Sequence, residues 1–88
     1  MNKDLDEVRV FDLLCGKRLV CRTWFSDVRG EFVSRAAIAV TPDDEACSYG
    51  YSQKMGESRD CAVRALALEL LRRRCELGQI AADIARVA

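Results

Sequence analysis

Eighty-eight residues, half of them apolar, with zero net charge, one Pro and five Gly, make one domain with a packed core and exclude a disordered chain. Neutrality removes the long-range field of a strongly basic nucleic-acid or membrane binder, and no apolar run approaches the length of a membrane span. The charge is uneven along the chain: residues 1–16 carry net −2, 17–40 net +3, 41–58 net −3 and 59–88 net +2.

Residues 4–15 hold two signals. Asp4 and Glu7 stand at capping-box spacing, but Val8-Arg9-Val10-Phe11 has strand content and gathers no helical face, so strand is preferred. Cys15-Gly16-Lys17-Arg18 reads as a tight hairpin turn with Gly at its first central position. In Arg18–Phe25, Leu19, Cys21, Thr23 and Phe25 alternate with Val20, Arg22 and Trp24, which is a strand. Ser26–Gly30 is a turn, and Glu31–Val40 is a strand that is apolar throughout Ala36–Val40. Thr41-Pro42-Asp43-Asp44 is a turn, and Cys47–Lys54 is a last strand with Tyr49 and Tyr51 on one face.

From Ser58 the pattern becomes helical. Gly56 breaks the chain, Ser58 is read as the cap, and Asp60 suits the positive end of the helix dipole. Arg72, Arg73 and Arg74 precede Gly78, where the helix stops and restarts or runs through with a weak point. Val63, Leu66, Leu70, Leu77, Ile80 and Ile84 share one face, with Cys61, Leu68, Leu71 and Cys75 nearly opposite. A helix apolar on opposing sides needs cover beyond one sheet. That cover is the chain's own ends, a second copy or a foreign partner. The expected fold is α+β, one domain over 1–88. An antiparallel meander of three or four strands (about 8–54) packs against a long C-terminal helix (about 58–87).

The chemistry-bearing inventory is small. There is no histidine, and Cys15, Cys21, Cys47, Cys61 and Cys75 include no C-x-x-C pair, so neither a zinc site nor another metal site is expected. An odd cysteine count, with the charged run Met1–Val10 in place of a secretory leader, points to reduced thiols in the cytoplasm. Asp43-Asp44-Glu45 lacks the spaced ligands and glycine of a calcium loop. No thiol has a base beside it in sequence. The expectation is a non-enzymatic protein with no cofactor. Trp24, Tyr49 and Tyr51 are read as core or cross-strand pairs before base-stacking groups.

Two resemblances bear on function. Gly56-Glu57-Ser58-Arg59-Asp60-Cys61-Ala62, followed by Ala65, Ala67, Leu70 and Leu71, resembles the end of a double-stranded-RNA-binding domain. That resemblance implies phosphate contacts at the helix start from Lys54 and Arg59, but Asp60 stands where the family has a second lysine. In size and composition the chain is also similar to compact phage and mobile-element proteins, including anti-CRISPR inhibitors. That resemblance implies a phage-encoded inhibitor, active in the host cytoplasm, of a nucleic-acid-targeting defence complex. Asp43, Asp44 and Glu45 would then imitate phosphate toward a basic groove, while Leu68 and Leu71 meet a protein partner or a second copy in a homodimer. A protein-binding module is the preferred reading and a duplex-RNA binder the alternative.

Overall fold

The computed structural model describes residues 6–14, 16–73, 80–82, 84 and 86. Its elements are β1 (Glu7–Asp12), β2 (Arg18–Ser26), β3 (Glu31–Thr41), β4 (Asp44–Ser52) and α1 (Met55–Arg72). The four strands form one antiparallel meander in the order β1-β2-β3-β4, with α1 against one face. This is the α+β architecture expected from the sequence. Residues 80–82, 84 and 86 are helical too, and Ile80, Ala81 and Ile84 enter the same core. Gly78 and Leu77, where a break was expected, lie outside the described residues.

Local chemistry sets the turns. The β1–β2 connection is longer than the tight hairpin expected: Asp12 pairs with Arg18, and the Leu13 amide donates to the Lys17 carbonyl at 2.9 Å. Gly16 adopts a φ of 89°, which a side chain would resist. Gly30 closes the β2–β3 turn at a φ of 69°, its amide donating to the Ser26 carbonyl at 2.8 Å. Pro42 and Asp43 turn β3 into β4 between the paired Thr41 and Asp44. The register shifts between Ala39 and Thr41, and the carbonyl of Val40 there accepts from Lys17 Nζ at 3.0 Å.

The helix starts earlier than the sequence suggests. Lys54 is the cap residue and has no side-chain capping bond. Ser52 compensates: its hydroxyl accepts from the Lys54 amide at 3.1 Å and donates to Glu57 at 2.8 Å. Glu57, not Asp60, is the acid of the first turn. Ser58 is therefore not a cap; it is fully buried inside the first turn.

The inner face of the sheet carries Leu19, Cys21, Ala36, Ile38 and Ala46, all at most 1 % exposed. Against them lie Ala62, Val63, Leu66 and Leu70 from α1, as the helical spacing predicts. One cross-strand row beneath the helix start differs in kind: Glu7, Thr23, Ser34 and Gly50. A Cβ on Gly50 would fall on the Ser58 carbonyl and the Ala62 amide and 2.8 Å from Cys61 Cβ. The helix backbone thus rests directly on β4. Gly50→Ala must push helix from strand, and the expected cost is about 3 kcal/mol. A urea denaturation series measures it, and a midpoint equal to the wild type's would show that the two backbones are not in contact.

Candidate protein-binding face

The outer face of the sheet is the surface that needs explaining. Alternation along the strands sends Val8 and Val10 of β1, Val20, Arg22 and Trp24 of β2, Val33, Arg35 and Ala37 of β3, and Cys47, Tyr49 and Tyr51 of β4 away from the helix. Register sorts them into rows: Trp24–Val33–Tyr51, then Val8–Arg22–Arg35–Tyr49, then Val10–Val20–Ala37–Cys47. Val8 is 61 % exposed, Val10 52 %, Tyr49 47 % and Tyr51 44 %. A sheet face turned to water ordinarily alternates to polar residues. This one does not.

Arg22 and Arg35 stand within this face, and most of the charge on and around it is matched in pairs. Arg18 donates to Asp12 at 2.9 Å, Arg29 to Glu31 at 3.0 Å, and Arg35 to Glu45. The Arg29 guanidinium also lies 4.0 Å from the centroid of the Tyr51 ring, and that of Arg22 lies 6.0 Å from the centroid of Trp24. Aromatic and arginine side chains around aliphatic ones, with a charged rim, are the anatomy of a protein interface core.

The residues singled out from the sequence are spread over the molecule. Leu68 and Leu71 are 59 % and 56 % exposed on the far side of α1, not enclosed by the same chain. Cys61 is exposed as well, while Cys75 lies outside the described residues. The acidic turn is largely occupied from within. Glu45 is taken by Arg35, and Asp44 faces Arg73 at 3.5 Å, which leaves Asp43 without an ion pair among the described residues. Lys54 is exposed at the helix start. Arg59 is not an open cation: it holds Glu7 of β1 at 2.6 Å, with its side chain only 18 % exposed. The outer face itself was missed, although the strands signalled it. β2 and β3 carry apolar residues at both phases of their alternation, the pattern of strands covered on both sides.

Beneath the helix, the polar residues are satisfied in a line. Thr23 Oγ1 and Ser34 Oγ are 2.6 Å apart, Ser34 Oγ and Ser58 Oγ 2.8 Å, and the Ser58 hydroxyl donates to the Met55 carbonyl at 3.0 Å. Every buried side-chain polar atom among the described residues has a partner. No group of three or more potential metal ligands occurs among them, and none of their helices is long and apolar enough to cross a membrane. Compared with known proteins, the chain matches no family model, no curated protein and no solved structure.

Cys21, 1 % exposed, is a thiol whose acidity the fold moves. Burial pushes its pKa up, opposed by the charge of Arg59 and a hydrogen bond from Thr23. The folded state therefore favours the protonated thiol. Its contribution to stability is complete below the ordinary thiol pKa of about 8.5 and is lost as pH rises through the higher folded value. The stability difference between wild type and Cys21→Ala is expected to narrow from pH 8 to pH 10 on the scale set by that ordinary value of about 8.5, measured by urea melts at each pH. A constant difference would mean that the fold does not hold the proton.

Proposed function

We propose that this chain is a non-enzymatic protein-binding module that acts by contact through the outer face of its sheet. The observation that carries this reading is the composition of that face: valines, Trp24, Tyr49 and Tyr51 interleaved with arginines, most of them held in ion pairs. Burying one exposed valine is worth about 1.5 kcal/mol or more, so several together supply real affinity. The charges supply none of one sign.

That balance favours protein over nucleic acid. A phosphate backbone rewards unpaired cations and penalises Asp12, Glu31 and Glu45 on the same surface. At the helix start, Arg59 would have to leave a mostly buried pair with Glu7 to reach a phosphate. The finer reading is that a surface apart from the sheet face, at Asp43, Leu68 and Leu71, meets a host nucleic-acid-targeting defence complex and that the protein inhibits it in the cytoplasm. Small size, neutrality and the exposure of these three residues support it.

Two measurements test the proposal. Duplex RNA titrated across a salt series is expected to show no binding; salt-sensitive binding abolished by Arg59→Ala would replace this reading with the RNA-binding one. In extract of the native host, a protein retained by the immobilised wild type is expected to be released by the double substitution Tyr49→Ala, Tyr51→Ala. Equal retention by both chains would move the contact off the sheet.

A further inference from the structure

We infer that the occupant of the outer sheet face is a second copy of this chain, packed sheet against sheet about a twofold axis with the helices outside. The inference rests on the protein-binding reading and names the partner of that same face.

Three observations select a copy over a foreign protein. The first is charge. A site built for a charged foreign partner displays unpaired charge of the opposite sign. Here Arg18 and Arg29 at the rim and Arg35 within the face already hold acids of their own chain, and Arg22, which has no acid partner among the described residues, lies against the Trp24 ring. The copy, with zero net charge, is not repelled.

The second is self-complementarity. A twofold interface sets one patch against itself, so its centre must tolerate its own image. The row next to the middle of the face, Val10–Val20–Ala37–Cys47, is uncharged across all four strands and meets that demand when the axis runs along it. Arg22 beside it lies toward the Trp24 ring, and arginine is among the side chains enriched at interfaces.

The third is area. Four strands at about 4.8 Å spacing and about nine residues of length give roughly 600 Å² of flat face. Side-chain relief raises this toward the about 800 Å² that each partner contributes to a standard interface. The result is a four-layer α/β/β/α arrangement in which the sheet, like those of a sandwich, is covered on both faces.

The test uses the full chain at protomer concentrations from about 1 to about 200 µM. Sedimentation equilibrium is expected to show a dimer at the upper end for wild type and for Leu68→Glu, Leu71→Glu, and a monomer for Val20→Arg with an unchanged circular dichroism spectrum. A second readout needs no variant. Cys47 lies on the proposed interface, while Cys61 lies on the helix, and both are exposed in one chain. Alkylation of Cys47, read by peptide mass spectrometry, is expected to slow at least about fivefold relative to Cys61 as concentration rises through the dimer range. A wild type that stays monomeric, or a Cys47/Cys61 ratio independent of concentration, overturns the dimer. So does a dimer that is lost on Leu68→Glu, Leu71→Glu and kept on Val20→Arg. The wider protein-binding reading then stands or falls separately, on whether Tyr49→Ala, Tyr51→Ala still releases a captured foreign protein.

Discussion

The first turns of α1 rest on one cross-strand row of the sheet, and the four residues of that row fix where the helix lies. Gly50 has no side chain, so the helix backbone at Ser58 and Ala62 touches β4. Ser34, one strand over, meets the Ser58 hydroxyl, and Thr23 meets Ser34. On the far strand Glu7 takes Arg59. The row thus reads across the sheet as a void, two hydroxyls and a carboxylate, each answered by the helix. Burying three hydroxyls away from water would cost about 1–3 kcal/mol apiece if they were unpaired. Bonded in a line ending on the Met55 carbonyl, they instead favour one position of the helix over neighbouring ones.

Fixing the helix there commits the inner face to it and leaves the outer face with nothing from the described residues across it. The two faces are nonetheless similar in apolar content. Hydrophobic burial alone does not distinguish them; the row under the helix does. Val8, Val10, Val20, Tyr49 and Tyr51 remain exposed because the chain's helix is already placed on the other side. Electrostatics then narrows what can cover them. Surface ion pairs such as Arg18–Asp12 add at most about 1 kcal/mol to stability. Their larger effect here is to occupy Arg18, Arg29 and Arg35, cations that a nucleic acid would seek.

Several site expectations changed for one physical reason: a residue's neighbours across the sheet are invisible along the chain. Arg59 looked available because its sequence neighbours do not occupy it, yet Glu7, fifty-two positions away, does. Asp44 and Glu45 looked like an open acidic cluster, yet strand alternation sends them to different sides, one to Arg73 and one to Arg35. Tyr49 and Tyr51 were placed on one face correctly, but whether that face was inside or outside depended on which side the helix took.

The sequence by itself determined the type and order of β2, β3, β4 and α1, because alternation, turn residues and helical spacing are local and each of these carries its own period, while for β1 it held a strand signal and a helix signal together. It also determined which stripe of α1 is buried: Val63, Leu66 and Leu70 lie inward, as their spacing requires. Only the tertiary structure decided which face of the sheet that stripe would cover. Both faces are apolar enough to accept a helix, and the choice rests on contacts between residues far apart in the chain, with Gly50 admitting the backbone and Ser34 meeting Ser58.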